Sequence, residues 1–184
     1  MTKLTRYESL IKETSLHTNI YSKKATDDLP RHIQDSITLG QLLEAGVPVV
    51  DFGSGCGLPA IPICLSCPNL EVIAIESKSK KTRFLETVKA TLMIDNLTVF
   101  QQDIHIWAKT SRFSGVIIAK AFMPYPKLIR TIKTLPISPQ RILVPTSHGK
   151  WAEWSPELKN DPIYTHSVIE KDGFIYIQGI PRVS

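Results

Sequence analysis

Apolar positions in this chain switch between two periods. Ile33, Ile37, Leu39, Leu42 and Leu43 form a stripe at helical spacing, whereas Val49-Val50 and Val72-Ile73-Ala74-Ile75 are short runs that read as strands. The pattern predicts helices over about 3–14 and 27–45. Asp27 or Asp28 would cap the second, Pro30 suits its first turn, and Gly46 ends it. Strand and helix then alternate: strand 47–52, helix 58–66, strand 71–76, helix 79–93, strand 97–101, a short connection, and strand 114–119. A helix near 125–134, a loop over 136–139 and a strand at 141–144 follow. Such alternation implies a parallel sheet. At the end, β-rich runs over 164–170 and 174–180 flank Lys171-Asp172-Gly173, and Asp-Gly between such runs marks a tight hairpin. The predicted fold is α/β and Rossmann-like, with a mostly parallel seven-stranded sheet finished by an antiparallel hairpin. Residues 1–46 would form a helical cap on a core over 47–184, all in one domain, with no internal repeat or linker.

Length and composition agree with one globular domain: 184 residues, 42% hydrophobic and 21% charged. The first residues lack the apolar centre of a signal peptide and no run reaches the length of a membrane span, so a cytoplasmic protein is expected. A net charge of +5 is a mild bias toward polyanions. Its placement says more: Lys78, Lys80, Lys81 and Arg83 form one basic face and Lys127, Arg130 and Lys133 another. Each could grip phosphates or be an ordinary solvated helix face. Cys64 and Cys67 have metal-ligand spacing, but without a second pair they read as thiols in a reducing compartment, and no metal is expected.

The richest stretch is Val49-Val50-Asp51-Phe52-Gly53-Ser54-Gly55-Cys56-Gly57, a strand turning into a glycine loop. In the dinucleotide fingerprint the third glycine falls three residues after the second; here Leu58 stands there. The spacing fits instead the G-x-G-x-G loop of methyltransferases that use S-adenosylmethionine. Glu76 ends the next strand about twenty residues on, where an acid can accept hydrogen bonds from both ribose hydroxyls. The alternative is a tight strand-helix turn with a solvent-facing acid.

Two longer stretches carry a family resemblance. Arg31-His32-Ile33-Gln34-Asp35-Ser36 and Asp51 through Pro62, with its Leu58-Pro59 after the glycines, resemble the small-subunit ribosomal RNA guanine-N7 methyltransferases, also called glucose-inhibited division protein B. Glu76-Ser77-Lys78-Ser79-Lys80-Lys81-Thr82-Arg83-Phe84-Leu85 is similar to that family's acid-Ser-x-x-Lys-Lys/Arg-x-x-Phe-Leu segment, so the likeness runs from about Asn19 to Phe122. It implies transfer of a methyl group from S-adenosylmethionine to N7 of a guanine in the 530 loop of 16S rRNA. The partner would be 16S rRNA, the 30S subunit or an assembly intermediate, and the enzyme a monomer.

Residue by residue, the resemblance puts Gly53, Gly55 and Gly57 against the methionine portion of the cofactor, with Asp51, Ser54 and Leu58 in the same loop and Glu76 and Ser77 at the ribose. Ile104 and His105 match the stretch that meets adenine; Asp103 could accept from the adenine amine or cap a helix. Asn19, Arg31, His32 and Asp35 would border the active-site mouth. On chemistry alone, Arg31 and Asp35 are four apart on a helix and can pair, and His32 could equally be a surface or core residue. Lys120 stands where the family has an arginine before Ala-Phe and is the candidate for substrate positioning. It keeps the charge but not the planar fork that can address guanine O6 and N7. Lys80 and Arg83 are candidate RNA contacts, and Phe122 could stack on the flipped base or belong to the core. The family's Leu-Lys-Gly after the fifth strand is replaced by Val144 through Lys150, and the N-terminal region is shorter than usual. A non-catalytic RNA-binding relative and a methyltransferase for another substrate are the alternatives.

Overall fold

A computed structural model describes residues 1–22 and 25–182. The last two residues of the expected core lie outside it. Seven strands form one sheet: β1 (Val49–Phe52), β2 (Val72–Ile75), β3 (Leu97–Phe100), β4 (Val116–Ile118), β5 (Arg141–Thr146), β6 (Tyr164–Lys171) and β7 (Phe174–Pro181). Their order is β3-β2-β1-β4-β5-β7-β6. The first five are parallel, with Asp51 in register with Ala74 and Ile118, while β7 runs antiparallel between β5 and β6. The expected Rossmann-like sheet and its closing hairpin are therefore present.

Strand residues alternate between two cores because successive side chains point to opposite faces. Val49, Val72, Ala74, Val116, Ile118, Leu143 and Tyr176 join one core with α1 (Lys3–Ser15), α2 (Leu29–Gly40), α3 (Ala60–Ser66) and α4 (Ser79–Leu92). Val50, Phe52, Ile75, Ile117, Ile142 and Ile177 join the other with α5 (Ile104–Thr110), α6 (Tyr125–Ile132) and α7 (His148–Leu158). Trp107 packs edge-on against Phe52 at 5.9 Å between ring centres and tilts over Phe113 at 5.6 Å.

Three elements differ from the sequence pattern. α2 stops at Gly40, where an added Cβ would lie 3.1 Å from Cys67 Sγ and 3.3 Å from Ile63; 41–46 is a run of turns, which ends α2 short of residue 45. The connection after β3 contains α5, opened by Asp103, whose carboxylate accepts from the His105 N–H at 2.8 Å. α7 arises where no helix is expected. Ser147 caps it by accepting from the Lys150 N–H at 3.3 Å, while Gly149 and the internal Pro156 mask the signal in the sequence.

Candidate active site

Strand order reverses between β1 and β4, and at such a switch point the loops at the carboxyl ends of the strands diverge to leave a crevice. Here the loops after β1, β2, β3 and β4 enclose a cavity of about 310 Å³ lined by Gly53, Glu76, Ser77, Lys81, Asp103, Ile104 and Phe122, among others. Glu76 is buried in its wall. One carboxylate oxygen accepts from the Gly55 N–H at 3.0 Å and the other from the Lys78 N–H at 2.8 Å, so backbone fixes the group. Each oxygen keeps a lone pair for a further donor.

The three glycines do different work. A Cβ on Gly53 would collide with the Phe122 ring at 2.2 Å, and one on Gly57 with Ile61 at 2.4 Å, so packing within the protein excludes side chains there. At Gly55 the surroundings are open, the nearest atoms being the Gly53 carbonyl oxygen and Lys81 Nζ, both at 3.8 Å. Of the three, Gly53 is the one that lines the cavity. Below the loop, Tyr7 of α1 donates to the Cys56 carbonyl at 3.0 Å, and Leu58 is buried in the α1–α4 core. Ser54 is also buried and donates to the Asp51 carbonyl at 3.0 Å. The Asp51 carboxyl is fully buried and both its oxygens lack a hydrogen-bond partner among the described residues. Burial pushes its pKa up to about 7, an effect moderated by the nearby Ser54 hydroxyl and Ala60 backbone.

A second pocket, about 300 Å³, lies where α2 faces the tip of the β6–β7 hairpin and the start of α7; its walls include Arg31, His32, Asp35, Lys120, Ser147 and Phe174. Asp35 is the centre of this site. Its carboxylate pairs with the Lys120 ammonium through one oxygen and accepts from the Tyr176 hydroxyl through the other at 3.0 Å; the same hydroxyl reaches the Asp35 carbonyl at 3.0 Å. The expected Arg31–Asp35 pair does not form: Tyr176 turns the carboxylate toward β4, where Lys120 meets it, and Arg31 is left exposed on α2. His32 shares a 2.5 Å hydrogen bond from Nδ1 to the Tyr21 hydroxyl. Burial, and then the Lys120 cation, hold its pKa below the usual value, so its ring is neutral at physiological pH. Burial likewise pushes the Tyr21 phenol up to about 12.

Asn19 is exposed on the loop after α1, along an open groove of about 1050 Å³ that Lys78, Lys80 and Lys81 line from the other side. It does not line the pocket of Arg31, His32 and Lys120. Arg83 is exposed on α4 and lines neither pocket nor groove; His105 is exposed on α5, with only its backbone held by Asp103. Lys81, by contrast, borders both groove and cleft. Sequence reasoning noted it only as part of a basic run and passed over Tyr176, which lies 141 residues from Asp35. The described residues include no group of three His, Cys, Asp or Glu suited to a metal ion, and no helix long and apolar enough to cross a membrane.

Residues 1–172 match the family described as rRNA small subunit methyltransferase G, GidB. The chain belongs to the GidB family. Ribosomal RNA small subunit methyltransferase G of Nitrosococcus oceani is 32% identical over 120 residues, 65% of this chain and 55% of the relative. The Acidothermus cellulolyticus protein of the same name is 32% identical over 150 residues, 80% of this chain and 66% of the relative. The chain thus spans roughly half to two thirds of the GidB relatives it matches. An rRNA methylase from Streptococcus thermophilus superposes with a TM-score of 0.57 over 83% of this chain and 96% of the other at 13% identity, which shows a shared fold.

Proposed function

We propose that this GidB-family chain transfers a methyl group from S-adenosylmethionine to N7 of a guanine in the 530 loop of 16S rRNA. One observation carries the proposal: the Glu76 cleft and the Lys120 pocket share a wall, since Lys120 lines one while Ala121 and Phe122 line the other. A cofactor and a base can therefore meet across three consecutive residues. The cleft suits the cofactor, being of a size found for small-molecule sites, about 300–1,000 Å³. It offers the Gly53 backbone on its wall, a fixed carboxylate with spare lone pairs at Glu76, and Asp103 and Ile104 in its lining. Bound there, S-adenosylmethionine supplies an electrophilic methyl on a sulfonium.

The protein's task is to position the acceptor. Guanine N7 carries an in-plane lone pair, so no general base is required, and alignment at about 3–3.5 Å governs the rate. Lys120 is the donor for guanine O6, Phe174 gives the pocket an apolar wall, and Phe122 lines the cofactor cleft beside Gly53. Lys78, Lys80 and Lys81 along the groove would meet phosphates of the flanking strand, which predicts affinity that weakens with salt. A base displaced from a loop is the form of substrate such a pocket can admit. Lysine in place of the family arginine and the changed 144–150 segment favour one second reading, an RNA-binding relative without methyl transfer.

Methyl-labelled S-adenosylmethionine and 30S particles lacking the modification test both. Label mapped to N7-methylguanine in the 530 loop by chemical strand scission is the expected result. Particle binding without label would select the second reading. Glu76→Ala should weaken cofactor binding about tenfold or more, the worth of a charge-assisted hydrogen bond; unchanged affinity by calorimetry would remove Glu76 from the site.

A further inference from the structure

Methylation at N7 leaves the guanine cationic, so a free ammonium beside the base would oppose the charge that develops in the transition state. Lys120 is not free. Its only hydrogen-bond partner among the described residues is Asp35, the two side chains are 13% and 10% exposed, and Tyr176 holds the carboxylate from the opposite side. We propose that Asp35 is a positioning residue that neutralises Lys120 in place, so that the lysine offers the base a hydrogen bond without adding net positive charge. The inference rests on the methyl-transfer reading above and concerns the same pocket.

The geometry has the features this role needs. Of three ammonium hydrogens, one is used by Asp35 and two are available to a ligand in the pocket. Of the other basic groups on the pocket wall, His32 is held toward its neutral form by burial, and Arg31 keeps its charge but is exposed, where water screens it. Asp28 also lines the pocket and makes no cap bond to α2, so its carboxylate offsets the Arg31 charge and the wall carries no excess of cations.

Single-turnover transfer to 30S particles separates charge compensation from simple support. Asp35→Asn keeps the shape and the acceptor for Tyr176, but leaves the ammonium uncompensated and turns an amide N–H toward it. Its rate should fall about 100-fold, the scale set by losing one preorganised electrostatic group, with cofactor affinity unchanged. Lys120→Gln retains an N–H donor and removes the cation, so it should be slowed less. The decisive species is Asp35→Asn with Lys120→Gln: a neutral amide pair should recover to within about tenfold of Lys120→Gln alone, as coupled residues do in a double-mutant cycle. A double variant as slow as Asp35→Asn, or Asp35→Asn within about threefold of wild type, overturns the proposal. Should Asp35→Asn fail to fold, Tyr176→Phe replaces it. That variant should slow transfer several-fold in the Lys120 protein and not in the Lys120→Gln background; equal slowing in both overturns the proposal. Absence of transfer by wild-type protein would instead remove the methyl-transfer reading and this inference with it.

Discussion

Two networks sit at opposite sides of the hairpin, each joining a lysine, an aspartate and a tyrosine, the first through a histidine as well. In one, Asp161 accepts from the Ile163 and Tyr164 N–H groups at 2.8 and 3.1 Å and from Lys133 at 2.8 Å, all on one oxygen. Its other oxygen meets His166 Nε2 at 3.0 Å, and His166 Nδ1 meets the Tyr125 hydroxyl at 3.0 Å. Every polar atom of His166 and Asp161 is taken. In the other, the Asp35 carboxylate has two side-chain partners but no backbone donor among the described residues, and both it and Lys120 face a pocket. The difference teaches that a buried ion pair alone does not mark a site; unspent hydrogen-bonding capacity facing a cavity does.

The largest test of that contrast is Asp161→Ala. It strands His166 and Lys133 in a site where the His166 side chain is 2% exposed, so stability should fall by about 3–5 kcal/mol, as for breaking a buried pair. Urea unfolding measures it, and the folded fraction should transfer methyl groups at the wild-type rate. Lys120→Ala should do the reverse. Water in the pocket can solvate Asp35, so stability should change by about 1 kcal/mol, while single-turnover transfer slows about 100-fold. Loss of stability without loss of rate would place Lys120 with Asp161 on the structural side.

The sequence revealed these regions unequally. The strand, glycine loop and helix from Val49 to Ser66 are one contiguous segment, and Glu76 follows it by one strand, so local spacing exposes the cleft. The Lys120 pocket has no such signal. Lys120 and Asp35 are 85 residues apart and Tyr176 and Asp35 are 141 apart, so only the folded sheet joins them. Local reasoning pairs Arg31 with Asp35 because helical neighbours are all it can see. The same limit hid α7, since Gly149 and Pro156 lower its intrinsic helicity while Leu158, buried against the sheet, helps hold it.

Carboxyls also differ in what pH does to them. Lys133, His166 and two backbone N–H groups outweigh burial and hold Asp161 well below the usual aspartate range. The unfolded chain then binds the extra proton, so this stabilisation is full above about pH 4 and is lost as pH falls. Asp51 has the opposite sign. Its folded pKa is raised to about 7, so its contribution is full below about pH 4 and is lost as pH rises to 7. Asp51→Asn should therefore gain on wild type as pH rises from 4 to 8, by up to about 4 kcal/mol, because the cost of the unpartnered amide is the same at every pH and drops out of the change. Unfolding midpoints that run parallel across that range would mean the carboxyl has a partner.

The smallest effect gives the closest comparison, because one hydroxyl can be removed from each network. Tyr125→Phe leaves His166 Nδ1 without its partner in a closely packed site, beside Gly179, where an added Cβ would come within 2.7 Å of the tyrosine oxygen. A stability loss of about 1 kcal/mol is expected, typical of one hydrogen bond, with transfer unchanged. Tyr176→Phe should cost a similar amount of stability and slow transfer as well, because its hydroxyl aims the carboxylate that holds Lys120. If the two variants slowed transfer equally, the hairpin would be acting on catalysis as one body, and the division between a closely packed network and an open one would have no functional meaning.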